Sequence, residues 1–365
     1  MDRLKLLDAG LKAFDASLPE VVSPLCLATR YRGSSCRLCL DVCPTAAITP
    51  AKWLAVEPQR CTSCGACAAV CKTGALSYVA RHGALRTRLR GLAAEGARTV
   101  VLACRQAGAD APATVAQAPA TVAQKRIVVP CLGGLAVADL IAAAAFGLVT
   151  IELLSGDCAA CADAVAGAAV EPTQAAVAEI LLALGADVAC TRRSVPGGEA
   201  QVAAEAPAMS RAGLFSYVAQ GLRRTAVEGI ASDKRGVAEL HRQAPPPVTR
   251  GWLRGDLARL ANAGPAVSTR SAREARSGAE SLLARLPLGA VAVSAACDGC
   301  GLCVRYCPHG SLALQEDRLV VDCETCSGCG LCAEVCPPAA LAVGPAPLPR
   351  RPTAGVFAPF RGVLL

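Results

Sequence analysis

The middle of the chain alternates short apolar runs with segments of helical periodicity. Runs rich in Val, Ile and Leu predict strands over residues 99–103, 126–129, 148–154 and 187–189, and helical periodicity predicts helices over 135–146 and 173–184. This alternation is typical of a small α/β domain with a parallel sheet. Right-handed crossovers then bring the carboxyl ends of the strands to one edge.

The amino-terminal residues follow a different pattern. One apolar face predicts an amphipathic helix over residues 1–18, formed by Leu4, Leu7, Leu11, Phe14 and Leu18. No signal peptide is recognised there, so we expect a cytoplasmic protein in which disulfides are disfavoured. The apolar stretch 127–154 is interrupted by Pro130, Asp139 and Glu152, and we therefore expect no transmembrane segment.

The stretch from residue 211 to 285 holds 13 Lys and Arg against 6 acidic residues. Amphipathic patterns at 252–260 and 272–286 predict solvated helices that link the two ends of the molecule, with a dedicated docking surface as the alternative. The proline-rich tail after Gly344 is expected to be extended.

Cysteine spacing carries the chemistry. Two runs near the carboxyl end follow the pattern Cys-x2-Cys-x2-Cys-x3-Cys-Pro, namely Cys297, Cys300, Cys303, Cys307 with Pro308, and Cys326, Cys329, Cys332, Cys336 with Pro337. In this pattern three cysteines bind one 4Fe-4S cube, and the fourth ligates the neighbouring cube. The predicted ligand sets are Cys297, Cys300, Cys303 and Cys336, and Cys326, Cys329, Cys332 and Cys307. Residues 291–343 resemble the bacterial two-cluster ferredoxins.

A less regular copy precedes the middle domain. Cys61, Cys64, Cys67 and Cys71 keep the spacing, but Lys72 replaces the usual proline. In the run Cys36, Cys39, Cys43 and Pro44, Gly33 stands where the first ligand is expected, and Cys26 is the predicted substitute. The predicted ligand sets are Cys26, Cys36, Cys39 and Cys71, and Cys61, Cys64, Cys67 and Cys43. A three-iron cluster is the alternative at the first of these sites.

Zinc sites, disulfides and buried free cysteines are the other interpretations of these motifs. Zinc is typically bound by two well-separated cysteine pairs, whereas these are runs of four ending mostly in proline. The formal charge of +8 at first suggests nucleic acid. Four oxidised cubes would carry roughly −8, however, so the basic residues compensate the clusters. Stacking aromatics are scarce, and we expect no nucleic-acid partner.

Four more cysteines follow the predicted middle strands: Cys104, Cys131, Cys158 and Cys161. Thiols converging from three strand ends favour a further cluster, with 2Fe-2S as the predicted type; buried residues with a Cys-x-x-Cys redox pair are the alternative. Through its glycine-rich turn at Cys131 and its Gly-Asp-Cys-x-x-Cys turn, this segment is similar to the small iron-sulfur (delta) subunit of heterodisulfide-reductase-linked hydrogenases. Cys190 and Cys323 are potential replacement ligands, although the Cys-x-x-Cys-Gly register favours Cys326 over Cys323.

The predicted architecture is mixed α+β and α/β, with two bicluster ferredoxin-like modules flanking the parallel-sheet domain. The two ferredoxin-like modules are expected at residues 1–85 and 291–345, and the α/β domain at 95–205. The basic linker is expected at 206–290 and the tail at 346–365. The histidines are scattered and no Gly-x-Gly-x-x-Gly motif is present, so no catalytic residue, flavin site or nicotinamide site is predicted.

The sequence therefore predicts an electron-transfer protein with four 4Fe-4S clusters and an additional 2Fe-2S cluster. So many clusters favour a non-catalytic subunit of an anaerobic oxidoreductase complex. By resemblance, the expected redox partners are hydrogenase, formate dehydrogenase or related reductase subunits. A reductase with its own active site at the middle-domain cysteines, and a redox or oxygen sensor, are the alternatives.

Overall fold

The computed structural model describes residues 18–50, 52–109, 126–195, 248–263, 288–315 and 318–345. Residues 1–17 of the predicted helix over 1–18 lie outside the described residues, as do most of the basic linker, including 272–286, and the tail from 346. The described part contains an N-terminal module, residues 18–78, a middle domain, and a C-terminal module, residues 288–345.

The N-terminal module is built from short elements around its cysteines. They are β1 (Glu20–Val21), α1 (Leu27–Arg30), α2 (Leu38–Asp41), β2 (Ile48–Pro50), β3 (Leu54–Val56), α3 (Ala66–Val70) and β4 (Leu76–Ser77). β1 pairs with β4 and β2 pairs with β3, both antiparallel. A small core of Leu25, Ile48, Leu54 and Leu76 includes Cys26 and Cys67, so little apolar area supports this module without its metal.

The middle domain confirms the predicted parallel sheet. Its elements are α4 (Val79–Ala94), β5 (Thr99–Cys104), α5 (Arg105–Ala109), β6 (Arg126–Val129), α6 (Val137–Ala145), β7 (Thr150–Ser155), α7 (Ala164–Ala168), α8 (Val170–Ala183) and β8 (Ala189–Ser194). The strand order is β6-β5-β7-β8, and all pairs are parallel. β5 and β7 are buried in the centre, whereas β8 is an exposed edge that carries Arg192 and Arg193, which discourage further pairing.

The segment 127–154 forms a strand, a helix and a strand, as predicted. Among the described residues, one helical stretch, Ala164–Ala183, has the length and the apolar composition that could cross a membrane. Its residues Val177, Ile180 and Leu181 are buried in the hydrophobic core of the middle domain. A core helix of a soluble domain passes the same length and composition test, so this stretch is weak support for a membrane span.

Helix α9 (Val248–Ala263) contains the predicted amphipathic stretch 252–260. Its apolar face, with Leu253, Leu257 and Leu260, packs into the core of the middle domain. The prediction of a solvated linker is therefore wrong for this helix, because its leucines complete the core formed by α4 and α6.

The C-terminal module repeats the plan of the N-terminal one. Its elements are β9 (Gly289–Val293), α10 (Leu302–Tyr306), β10 (Leu312–Gln315), β11 (Arg318–Val321), α11 (Leu331–Glu334) and β12 (Leu341–Pro345). The outer strands β9 and β12 pair antiparallel, and β10 pairs with β11, in the same way as β1 with β4 and β2 with β3.

Candidate metal centres

The eight motif cysteines of the C-terminal module lie in two groups that match the crosswise prediction. Burial and the neighbouring Cys297, Cys300 and Cys336 raise the pKa of Cys303. Burial and the neighbours Cys329, Cys326 and Cys307 raise the pKa of Cys332. Each group lines its own cavity, of about 300 Å³ and 330 Å³ respectively. The fourth cysteine of each run therefore faces the cavity of the other run.

The N-terminal module contains the same arrangement. Burial raises the pKa of Cys39 to about 12, and the nearby Cys71, Cys26 and Cys36 contribute to the shift. The second group, Cys61, Cys64, Cys67 and Cys43, lines a cavity of about 320 Å³. The two groups have the same members as the predicted sets, with Cys26 in the first, and their role as ligands stays a prediction.

Gly33 occupies the position where the regular spacing would have a cysteine, and the packing of Tyr31 explains why a glycine is found there. A Cβ at this residue would lie 2.7 Å from the ring of Tyr31. The Tyr31 ring packs edge-on against Tyr306 of the C-terminal module, with ring centroids 5.6 Å apart. The chain therefore folds back here to build a contact between modules, and Cys26, at the amino-terminal end of helix α1, is the cysteine that completes the group.

The backbone after each fourth cysteine follows one pattern. The residue three positions later has a positive φ in all four runs, at Ala46, Gly74, Gly310 and Ala339. Backbone amides four positions later donate to sulfur in three of them, from Ala47 to Cys43 (3.3 Å), from Ser311 to Cys307 (3.2 Å) and from Ala340 to Cys336 (3.3 Å). Such donors stabilise a thiolate, and the turn persists after Cys71 although Lys72 replaces proline there.

The glycines that directly follow the second cysteine of each complete run are required by backbone conformation. Gly65, Gly301 and Gly330 precede helices α3, α10 and α11 with φ of 92°, 74° and 86°. The sequence predicts that a side chain at Gly301 or Gly330 would crowd the cluster. The left-handed conformation gives an independent reason for glycine at all three positions.

The four middle-domain cysteines converge at the predicted sheet edge. Cys104 ends β5, and Cys131, Cys158 and Cys161 follow β6 and β7. Burial raises the pKa of Cys131 to about 12, with contributions from Cys64, Asp163 and Cys104. The Sγ of Cys104 accepts hydrogen bonds from the amides of Gly156 (3.2 Å) and Ala107 (3.5 Å), and Cys161 accepts one from Asp163 (3.3 Å). These donors suit sulfurs that carry negative charge.

The two remaining cysteines lie apart from these groups. Cys190 does not follow β8 but lies inside it, paired with Ile151 near the start of β7, at the opposite end of the strands from Cys104. The idea that it could replace a middle-domain ligand is therefore wrong. Burial raises the pKa of Cys323, whose charged neighbours are Asp322, Arg254 and Arg250 rather than other cysteines.

The donor sets fit multi-atom clusters better than single ions. Thiolates around one zinc ion, at Zn–S distances of about 2.3 Å, must lie within about 4 Å of one another. Among the described residues, no three His, Cys, Asp or Glu side chains are arranged to hold a single metal ion. The groups of four cysteines instead surround cavities of about 300 and 330 Å³. Burial disfavours an uncompensated array of thiolates, and a cationic iron-sulfur core would supply the compensation.

Two stretches of the chain, residues 34–75 and 296–340, match the model of the 4Fe-4S dicluster domain family. The two matches support a multi-cluster 4Fe-4S protein. This result supports an iron-sulfur electron-transfer role for both dicluster domains. No curated protein and no solved structure matches the chain. The similarity of the middle domain to a hydrogenase delta subunit stays a prediction.

The two dicluster domains pack directly against each other. Leu27 and Tyr31 of the first lie in one apolar cluster with Leu331, Val335 and Tyr306 of the second. Ser35 donates a hydrogen bond of 2.6 Å to the carboxylate of Glu334 across this contact. The contact places Cys36 and Cys329, which belong to different domains, in the same apolar cluster.

The first dicluster domain also contacts the middle domain. The hydroxyl of Thr62 donates to the carboxylate of Asp163 at 2.7 Å, and the guanidinium of Arg81 donates to the carbonyl of Ser63 at 2.9 Å. Cys64 and Cys131 lie in one apolar cluster at this contact. The middle-domain cysteines therefore adjoin the group Cys61, Cys64, Cys67 and Cys43.

A larger cavity of about 750 Å³ lies between the first dicluster domain and helices α4, α6 and α9. It is lined by Cys71, Lys72, His82, Arg86 and Trp252, among others. His82 Nδ1 pairs with Asp139 at 2.9 Å, and Arg86 pairs with the buried Asp256. These pairs connect α4 with α6 and with α9, so they stabilise the helix packing around the cavity.

Proposed function

We propose that the protein is an electron relay with four 4Fe-4S cubes, two in each dicluster domain, and one 2Fe-2S cluster bound by Cys104, Cys131, Cys158 and Cys161. It would operate in the cytoplasm as a subunit of a larger anaerobic redox complex. Hydrogenase, formate dehydrogenase or related reductase subunits are the proposed partners.

The observation that carries this proposal is an unbroken series of neighbouring cysteine groups. Cys131 of the middle domain neighbours Cys64, and Cys67 neighbours Cys39 of the next group. The contact between dicluster domains brings Cys36 and Cys329 together, and Cys332 neighbours Cys303 of the last group. Five sites thus follow one another from the middle domain to the far end of the second dicluster domain.

The two ends of this series are accessible, which suits the entry and exit of electrons. Cys300 is exposed at one end, and Cys158 and Cys161 are half-buried at the other. The cysteines between them are buried or half-buried. The protein's own contribution would be to hold the clusters in sequence, to exclude water from the inner ones, and to donate amide hydrogen bonds to their sulfurs.

Iron and acid-labile sulfide per chain, measured on protein purified without oxygen, tests this proposal together with EPR of the reduced form. Four cubes and a 2Fe-2S cluster would give about eighteen irons and a distinct 2Fe-2S signal. About sixteen irons with cubane signals alone would remove the middle cluster. Fewer than about twelve would contradict the four-cube relay.

The second candidate is a reductase that acts at the middle-domain cysteines. The guanidinium of Arg192 lies 3.6 Å from the half-buried Cys158 sulfur, so a small anionic substrate would find a cation there. Substrate turnover by the isolated chain with a chemical reductant, abolished by Cys158→Ala, would favour this candidate. Absence of turnover while the cubes still exchange electrons with a partner would favour the relay.

A further inference from the structure

Arg30 connects the two dicluster domains through a buried guanidinium. Its side chain donates to the carbonyl of Pro24 in its own domain (2.6 Å), and to those of Tyr306 (3.0 Å) and Cys307 (3.2 Å) in the other. Only 5% of Arg30 is exposed. Its cation is therefore fixed beside Cys307, a predicted ligand of the inner cube of the second dicluster domain.

Lys72 brings a second cation to the same place. This residue stands where the other three runs have proline, at Pro44, Pro308 and Pro337. Lys72 is half-buried, and its charged neighbours are Cys329 and Cys36. Its ammonium group therefore lies near predicted ligands of two cubes, one in each dicluster domain.

Arg250, on helix α9, supplies a third cation. Its guanidinium donates to the carbonyls of Cys323 (3.0 Å), Glu324 and Cys326, and the residue is 1% exposed. Cys326 is another predicted ligand of the inner cube. Three cations that come from different parts of the chain thus converge on the group Cys307, Cys326, Cys329 and Cys332.

The other groups have weaker cationic surroundings within the described residues. Arg37 and Arg60, next to ligands in sequence, are exposed and pair with Asp41 and Glu57. Arg305 is exposed. Arg81 contacts the carbonyl of Ser63 beside the group that contains Cys64. Lys72 is shared with the group that contains Cys36. Each of these two groups thus has one such cation, whereas the inner cube of the second dicluster domain has three.

We propose that the cube held by Cys307, Cys326, Cys329 and Cys332 has the highest reduction potential of the four cubes, so that electrons collect at the junction of the dicluster domains. Reduction adds one negative charge to a cube, and nearby cations stabilise that charge. Exposure to water also stabilises the reduced form, which favours the outer cube at Cys300. A Coulomb interaction is about four times stronger at an effective dielectric constant of about 20 than in water, so the buried Arg30 and Arg250 and the half-buried Lys72 outweigh hydration.

The inference rests on the proposed four cubes and specifies how they differ. Its test is an EPR-monitored reductive titration of the anaerobically purified, fully loaded protein. The cluster that is reduced first should lose its signal or change its spectrum in Cys329→Ser. Lys72→Pro introduces the proline found in the other three runs. In this variant the reduced-to-oxidised ratio of the first-reduced cluster, at a fixed potential, should fall about tenfold, equivalent to about 59 mV for one electron.

Two control variants separate charge from structure. Lys72→Arg keeps the cation and should retain the wild-type potential. Arg37→Gln removes a charge one residue from Cys36, but Arg37 is exposed to solvent and should leave the potential unchanged. Equal potentials in Lys72→Pro and the wild type, or a first-reduced signal that persists in Cys329→Ser, would overturn the inference. Iron content measured on the same samples shows separately whether the four-cube relay fails.

Discussion

The carbonyl oxygen of Cys64 lies so close to Gly134 that a Cβ at residue 134 would come within 2.2 Å of it. This contact joins the first dicluster domain to the middle domain. Gly134→Ala should force the two apart, at a cost of about 1 to 3 kcal/mol in the free energy of unfolding. Urea unfolding of the loaded protein measures that cost. Reduction of the first dicluster domain from the middle site should also become slower in rapid-freeze EPR.

Gly91 provides the matched control for this substitution. It lies in helix α4, and a Cβ there would meet no atom within 4 Å. Gly91→Ala should therefore raise the free energy of unfolding, by about 0.5 to 1 kcal/mol, because alanine favours the helix. If both alanine variants had the same stability, the proposed close contact at Gly134 would be wrong.

The middle-domain cluster is tested by two half-buried cysteines that have different neighbours. Cys161 lies with Cys104 and Cys158, whereas Cys190 lies inside β8 opposite Ile151. Cys161→Ala should remove one spectroscopic component and about two irons per chain, with the cubane signals intact. Cys190→Ala should change neither. Identical spectra for Cys161→Ala and the wild type would exclude a cluster at this site.

The sequence predicted the middle sheet because its signals are local. Val, Ile and Leu runs define the strands, and β6 begins and ends where predicted, at Arg126 and Val129. Motif spacing likewise predicted the crosswise grouping of cysteines, since three residues between the third and fourth ligands fix where the last one points. Cys190 was misplaced because the strand predicted at 187–189 in fact runs from Ala189 to Ser194. This shift of a few residues moves Cys190 from the end of the strand to its start.

The contact between the dicluster domains could not be predicted in this way. Arg30 and Cys307 are 277 residues apart, and nothing in the local pattern around Arg30 indicates its acceptors. The role of α9 was also hidden, because a solvated amphipathic helix and a helix that completes a core have the same periodicity. Lys72 was visible as a departure from the motif, but its two cysteine neighbours depend on the packing of both domains.

Helix α9 should be held to the middle domain by the Arg86–Asp256 pair. The Asp256 side chain is 1% exposed and that of Arg86 is 15% exposed. Among the described ion pairs, Arg86→Met would leave the buried carboxylate with the solvent-exposed Arg259, 3.5 Å away, and we expect a loss of about 3 kcal/mol. Urea unfolding followed by tryptophan fluorescence measures this loss, since Trp252 lies on the same helix.

The double variant Arg86→Met/Asp256→Leu removes both charges from this contact. It should recover most of the lost stability, because no uncompensated charge stays buried. If the double variant were as unstable as the sum of the single variants, the two residues would not act as a pair.

The His82–Asp139 pair should make stability depend on pH. Burial lowers the pKa of His82 and Arg81 acts in the same direction, but attraction to the Asp139 carboxylate and the hydrogen bond that His82 Nδ1 donates to it outweigh both, so the folded pKa is raised. The stabilisation is therefore fully present below the ordinary histidine pKa of about 6.5, and it is lost as the pH rises through the folded value.

Urea midpoints of the wild type and His82→Gln, compared between about pH 6 and pH 9, measure this dependence. The stability difference should be largest at the acidic end and should shrink as the pH increases. A difference that grew with pH would mean that the folded pKa is lowered instead.

Cys26 and Cys323 both lie outside the regular spacing, yet the structure gives them different neighbours. The charge of Cys26 contributes to the raised pKa of both Cys36 and Cys39, whereas the charged neighbours of Cys323 are Asp322, Arg254 and Arg250. Cys26→Ser should therefore leave one cube with three cysteine ligands and convert it to a three-iron cluster, which EPR of the oxidised protein detects. Cys323→Ser should keep the wild-type spectrum and iron content. A three-iron signal in Cys323→Ser, with none in Cys26→Ser, would reverse the assignment and would mean that the fourth ligand of the irregular run lies elsewhere.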